Sequence, residues 1–247
     1  MITKREMGEI HDKTSVLQYL EESKFETVLD IGVSGSPWAG KYITHAIDIV
    51  EKNIAAPNLQ AFFVGNISHP DVFVKVKERL VADGIDKVDF CICSHTLEDV
   101  NLPATALKAF SSIAKEGFIA VPSKYAELRR TNRPFRGWIH HRWMFDVLGG
   151  ALWLAPKLSF IEHYLEGDPP IEAPNELRVF WKDEMPFRVL NDDYIGPSEE
   201  GIINTFLDFA GMPMGGLNLS SGKFVPGENP KKDGVSCLPS NIRGKTQ

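Results

Sequence analysis

Between residues 25 and 123 the sequence alternates short apolar runs with amphipathic stretches, and that alternation leaves few folds open. The runs are FETVLDIG (25–32), ITHAIDIV (43–50), LQAFFVGN (59–66), KVDFCICSH (87–95) and FIAVPS (118–123). They are too short for helices and rich in Val, Ile and Phe, so they read as strands. FCIC is apolar at consecutive positions, as in a strand buried on both faces of a parallel sheet. Between the runs, HPDVFVKVKERLVADG (69–84) places Phe73, Val76 and Leu80 near helical spacing, with Pro70 in the first turn and Gly84 at the end. NLPATALKAFSSIAKEG (101–117) does the same with Leu107, Phe110 and Ile113, from Pro103 to Gly117. A first helix starts at Thr14 or Ser15, with Val16, Leu17, Tyr19 and Leu20 inward. The predicted fold is α/β: a Rossmann-like, mostly parallel sheet with helices on both faces.

After residue 123 the texture changes. The segment 129–164 is rich in Trp, His and Arg, and Gly149-Gly150 between RWMFDVL and ALWLAP signals a hairpin. ELRVFWKD (176–183) and PFRVL (186–190) predict two further strands, and EEGIINTFLDFAG (199–211) a late helix. These C-terminal strands are expected to run antiparallel and close the sheet. The expected organisation is a cofactor-binding half over 1–123, a sheet-closing and substrate-pocket region of the same domain over 124–221, and a tail over 222–247 with little apolar content.

In an open parallel sheet, ligands bind beyond the carboxyl ends of the strands. Those ends carry Asp30, Gly32 and Gly35, then Asp48, Gly65 and Asn66, then Ser94 and His95. Two readings of VLDIGVSG stand at this point. One is an ordinary turn with Asp30 as a cap. The other is a loop that lets a nucleoside-bearing cofactor approach the backbone, with Asp48 on the next strand accepting ribose hydroxyls. A dinucleotide site ranks lower, because it needs G-x-G-x-x-G opening a full helix and the link from Gly35 to the second strand is too short for one.

VLDIGVSG, taken with the order strand, SHTLED, Pro103, amphipathic helix, Gly117 and strand, resembles class I S-adenosylmethionine-dependent methyltransferases. The likeness is strongest to those with an hxxLEHhxxP segment, and it covers about residues 26–123. It implies S-adenosylmethionine as cofactor. Asp30, Gly32 and Gly35 would lie near its methionine part, Asp48 at the ribose, Gly65 and Asn66 beside the adenine, and Ser94 and His95 near the sulfonium. The chain departs from the pattern in two places: LEH is LED at Leu97, Glu98 and Asp99, and the first crossover is short.

Methyl transfer to a hydroxyl or a protonated amine benefits from a general base. His95 is the first candidate, against a packing or capping role. If GWIHHRW (137–143) is a strand, His140 and His141 point to opposite faces and one of them faces the pocket. Arg142 then suits an anionic substrate group and Trp143 an aromatic wall. Arg129, Arg130, Arg133 and Arg136 form a basic stretch, read as a solvated loop or an anion-binding segment. No metal site is predicted, since Cys91, Cys93 and Cys237 make no CxxC pair.

A net charge of −6 argues against nucleic acid as partner. The amino-terminal residues lack a signal-peptide core and no run reaches membrane-spanning length, so the expectation is a cytoplasmic enzyme with a small-molecule substrate and no membrane partner. The alternative is a non-catalytic binding or interaction module that kept the sheet and lost turnover.

Overall fold

The computed structural model describes residues 13–130, 134–164, 167–190 and 199–211. The expected tail at 222–247 and Arg133 lie outside them. In chain order the elements are α1 (Lys13–Ser23), β1 (Val28–Ile31), β2 (His45–Asp48), β3 (Ala61–Val64), α2 (Asp71–Ala82), β4 (Val88–Ser94), α3 (Pro103–Ile113), β5 (Ala114–Pro122), α4 (Lys124–Leu128), β6 (Trp143–Leu148), β7 (Ala151–Pro156), α5 (Ile161–Tyr164), β8 (Glu176–Lys182), β9 (Phe187–Val189) and α6 (Glu199–Gly211). The chain divides into two compact units, one of residues 1–121 and 176–186, the other of 122–175 and 187–247.

The first unit is the predicted α/β sheet. Its order is β3-β2-β1-β4-β5-β8, and the pairs β1–β2, β1–β4, β2–β3 and β4–β5 are all parallel. β8 runs the other way. Asp183, just past its end, donates its N–H to the Lys115 carbonyl at the start of β5. Helix α1 packs Val16 and Leu20 into a core with Val28, Phe90, Ile92, Phe118 and Phe180. Tyr19, Phe25, Phe90, Phe118 and Phe180 meet there ring to ring, with centroids 5.2–5.9 Å apart, spacings at which aromatic pairs attract beyond their burial. Thr14 and Ser15 fall inside α1 rather than capping it.

Gly117 was expected to end a helix, but α3 stops at Ile113 and Gly117 lies within β5. A Cβ at this position would stand 2.6 Å from the Cys91 carbonyl oxygen and 2.9 Å from Trp181 Nε1. The glycine is required by close packing between strands, a demand that leaves the same local pattern as a helix stop.

The second unit has its own sheet, β6-β7-β9. β6 and β7 form the predicted antiparallel hairpin around Gly149-Gly150, pairing Leu148 with Ala151. Of the two predicted late strands, β8 joins the large sheet, whereas β9 pairs parallel to β7. Leu128, Met144, Leu148, Ala155, Phe206 and Phe209 form this unit's apolar core. Within it lies an ion pair: Lys124 Nζ stands 2.8 Å from Asp146 Oδ2, both side chains fully buried, and donates to the Phe209 carbonyl at 2.8 Å. Burial pushes the lysine's pKa down and the aspartate's up. Among the described residues no helix is long and apolar enough to cross a membrane.

The pair ties α4, β6 and α6 together. Lys124→Met leaves Asp146 buried without a counter-charge, and removal of one such partner typically costs about 3–5 kcal/mol. Urea denaturation is expected to show a loss of that size, and Lys124→Met with Asp146→Leu to recover most of it.

Candidate functional site

β1 is hydrogen-bonded on both sides, to β2 and to β4. The chain passes from β1 to β2 on one side and reaches β4 on the other, so the topological switch point of the sheet lies at β1/β4. The sequence places Gly32 just past β1 and Ser94 at the last position of β4. The structure therefore brings Asp30, Gly32, Asp48, Gly65, Asn66, Ser94 and His95 to one edge of the sheet, at or just past the strand ends.

Gly32 adopts a left-handed conformation, φ 78°. This lets its N–H reach the Ile47 carbonyl at 2.9 Å and turns the loop across β2. A Cβ at Gly32 would lie 2.1 Å from Thr96 Oγ1. Thr96, which the sequence did not single out, therefore packs directly against the glycine loop. Its signal was its place in SHTLED, immediately after Ser94 and His95. Gly35 is less constrained: an added Cβ would find its nearest neighbour at 3.8 Å, whereas at Gly40 it would meet the Ala55 carbonyl at 2.3 Å. The Gly35 carbonyl accepts the Ala55 N–H at 3.0 Å, tying the loop to the segment after β2. Residues 32–44 form turns and bends with no helix.

Asp30 is 5% exposed. Burial, reinforced by the negative charge of Asp48, raises its carboxyl pKa to about 7. Asp48 is already engaged. Its Oδ2 pairs with Lys52 Nζ at 2.8 Å and its Oδ1 accepts the Val50 N–H at 3.1 Å. Lys52 also donates to the Val33 carbonyl at 3.1 Å, bridging the glycine loop and the acid. Next to this carboxylate, Ile49, Val50 and Val64 are 64%, 55% and 45% exposed, an apolar grouping at the ends of β2 and β3. Gly65 packs closely on Val72 of α2. The Asn66 side-chain oxygen accepts the Ser68 N–H at 2.9 Å, which makes it a turn former.

His95 differs from the expected base. Its φ is 53°, rare for a residue with a side chain. Its N–H donates to the Ala120 carbonyl at 2.8 Å, Nε2 stands 3.0 Å from Glu176 and Nδ1 3.3 Å from the buried Glu98. Glu176, itself paired with Arg178, and Glu98 hold the imidazolium and raise its pKa to about 9. Near neutral pH His95 therefore carries its proton and serves as a clasp between the end of β4 and the start of β8. The His95 bond is the main cause that draws Glu176 down to about 2.

In the second unit, GWIHHRW was expected to be a strand; residues 137–142 are a turn instead, and β6 starts at Trp143. The His141 N–H donates to the Trp138 carbonyl at 3.2 Å. Trp138 stacks on the His141 ring at 5.1 Å, and the ring of His140 meets it edge-on at 4.5 Å. The two histidines thus lie together rather than on opposite faces. His141 Nδ1 is 2.6 Å from Oε1 of the buried Glu127. Arg142 is exposed, and Trp143 is half-buried in register with Pro156. Three arginines of the basic stretch act as staples: Arg129 donates to Asn175 and the Pro170 carbonyl, Arg130 to the Glu162 carbonyl, and Arg136 to the carbonyls of Leu128 and Gly167.

No protein-family model matches the chain, and no curated protein matches it. Among solved structures it is similar to the methyltransferase domain of bacterial CtHen1-C, at 13% identity over 48% of this chain and 68% of that one, with a TM-score of 0.32. It is also similar to MycE methyltransferase from the mycinamycin biosynthetic pathway in complex with Mg and SAH, at 12% identity, 49% and 37% coverage and a TM-score of 0.34. A third is the N-terminal domain of EvdMO1 with SAH bound, at 11% identity, 70% and 66% coverage and a TM-score of 0.36. The chain spans between about one third and two thirds of the length of these structures.

The His95 clasp has a defined pH window. Its folded pKa of about 9 lies above the ordinary 6.5, so its stabilisation is complete below pH 6.5 and is lost as pH rises through 9. The urea midpoint should fall across that window in the wild type and much less in His95→Asn, a substitution that tolerates the left-handed backbone.

Proposed function

We propose that the first unit binds S-adenosylmethionine and that the protein transfers its methyl group to a small-molecule acceptor. One observation carries the reading: two acids, Asp30 and Asp48, stand at the strand ends beside the switch point, and the glycine loop there, although its short crossover departs from the methyltransferase pattern, opens no helix that would hold a dinucleotide. A dinucleotide's pyrophosphate is held by a helix N-terminus placed directly after such a loop, and residues 32–44 form none. What the edge does offer is a buried acid, a second acid at the end of β2, and exposed apolar side chains beside it. That set suits a nucleoside without a phosphate there: hydroxyls for Asp48, a planar base against Ile49, Val50 and Val64, and a cationic group toward Asp30. Gly32, Gly35, Gly65, Asn66 and Ser94 line the same strand ends.

When bound, S-adenosylmethionine supplies a methyl group on a sulfonium, open to in-line displacement. The protein's part is then to orient the acceptor and take up its proton. His95, protonated at neutral pH, is set for positioning. Of the other two candidates, His141 has the surroundings of an oriented base, with His140 against its ring. Arg142 suits an anionic acceptor group and Trp143 an apolar one. Asp30, with its carboxyl near pH 7, gains its negative charge readily when a positive group comes close.

A second reading has an observation of its own. Lys52 occupies Asp48 and Thr96 covers Gly32, the arrangement expected of a site that has closed in a non-catalytic binding module.

Calorimetric titration with S-adenosylmethionine, S-adenosylhomocysteine and NAD separates these readings. Micromolar binding of the first two and none of NAD is expected. Binding of NAD alone would overturn the cofactor assignment, and binding of neither adenosyl ligand would favour the closed module. Lys52→Met frees the Asp48 carboxylate from a partly exposed ion pair worth up to about 1 kcal/mol. It should therefore tighten S-adenosylhomocysteine binding about two- to fivefold, whereas Asp48→Asn weakens it.

A further inference from the structure

His45 opens β2, a strand buried along its whole length, and its imidazole is fully buried with it. Nδ1 lies 2.8 Å from Thr44 Oγ1. That hydroxyl is itself committed to β1: it accepts the Val28 N–H at 2.9 Å and stands 3.2 Å from the Val28 carbonyl. Nε2 meets no hydrogen-bond partner among the described residues. With Nδ1–H donating to Thr44 and the hydroxyl donating to Val28, a neutral ring leaves only a bare lone pair at Nε2. A protonated ring carries a second N–H there, together with a full charge. Burying an unpaired charge costs far more than burying an unpaired acceptor. The surroundings offer no ready relief. In register with His45 are Leu29 of β1 and Ala61 of β3. Leu29 is in register in turn with Cys91 of β4, a thiol that burial keeps protonated. The charges that act on the ring come from the C-terminal end of α2, where Asp83 favours a proton and Arg79 opposes it. These two already bind each other, Arg79 Nε to Asp83 Oδ2 at 2.6 Å.

We propose that His45 is an acid-sensitive latch: the neutral ring lets the C-terminal end of α2 close against the sheet, and protonation of the ring releases that end. The inference stands apart from the methyl-transfer reading, because every group in it lies at the opposite end of β2 from Asp48. Helix α2 is held to the sheet by the apolar Val72, Phe73, Val76 and Leu80, which offer nothing to a protonated Nε2. A charged ring gains an acceptor only when α2 lifts to admit water or when Asp83 leaves Arg79. Burial lowers the pKa of the folded ring from its ordinary 6.5, so the opened chain binds the proton more readily. The latch is therefore fully closed above pH 6.5 and weakens as pH falls below it. Two other groups of this unit titrate in distinct ways. Asp30 works in the opposite direction, since only in the folded chain does its carboxyl keep its proton up to about pH 7. His95 adds no slope below pH 6.5. A comparison of wild type with a His45 variant subtracts both.

Hydrogen–deuterium exchange of the full-length protein reads the latch directly, at about pH 7.5 and about pH 5.5, corrected for the intrinsic pH dependence of amide exchange. One pH unit below the ordinary histidine value, an opened form that takes the proton gains up to about tenfold in population. Protection over residues 71–82 of α2 is therefore expected to fall by up to about tenfold on acidification, while α3 keeps its own. In His45→Phe, which has a ring of similar size and cannot take a proton, the loss should disappear. Unchanged protection of α2, an equal loss in α2 and α3, or the same loss in His45→Phe would overturn the proposal. Should His45→Phe fail to fold, His45→Asn, which keeps a polar group beside Thr44, takes its place. If neither folds, the wild-type contrast between α2 and α3 decides alone.

Discussion

The architecture of the first unit depends on β1 being paired in parallel on both sides. A strand in that position has no solvent-facing edge, and Val28 through Ile31 are all buried. Parallel neighbours cannot be joined by tight turns, so every connection must cross a face of the sheet. The polar and glycine residues that punctuate those crossovers accumulate at the carboxyl ends of the strands. The position of the candidate site is thus a consequence of how a parallel sheet is wired. The short, helix-free link between β1 and β2 is the local departure that narrows what the site can hold.

Charge is handled in the two units by related means. In the first, the His95 imidazolium bridges Glu98 and Glu176, and Lys52 bridges Asp48 and the glycine loop. In the second, Lys124 meets Asp146, and Lys157 and His141 share Glu127. In each case a cation joins acceptors on different segments of the chain. For the buried Asp146 and Glu127 carboxylates the unpaired alternative costs several kcal/mol, which makes their contacts specific about which segments meet. The Lys52 bridge has a further consequence: the carboxylate at the end of β2 already has a partner, so it is available to another group only when the lysine leaves.

Much of the large sheet could be read from the chain in advance, because its signals are local. FCIC is apolar on both faces, Phe73, Val76 and Leu80 follow a helical period, and Gly149-Gly150 separates two strand-like runs. The errors arose where one local pattern serves two physical ends. Gly117 looks like a helix stop and is a close-packed strand position. GWIHHRW has the composition of a strand, but Gly137 and the stacking of Trp138 on His141 bend it into a turn. Arg129, Arg130 and Arg136 look like part of a solvated basic segment and instead donate to carbonyls. Thr96, Lys52 and Glu127 carry no motif, and they matter only through neighbours brought to them by the fold.

By itself the sequence determined the strands and the larger helices of the first unit, their parallel pairing and where the strand ends fall, because hydrophobic period and turn chemistry act over a few residues. Tertiary structure alone decided that His95 keeps its proton, that Asp48 is paired, that Asp30 titrates near neutrality and that His141 faces a buried carboxylate. A side chain's protonation and availability depend on charges and burial supplied by residues far along the chain, and these come together only when the fold closes.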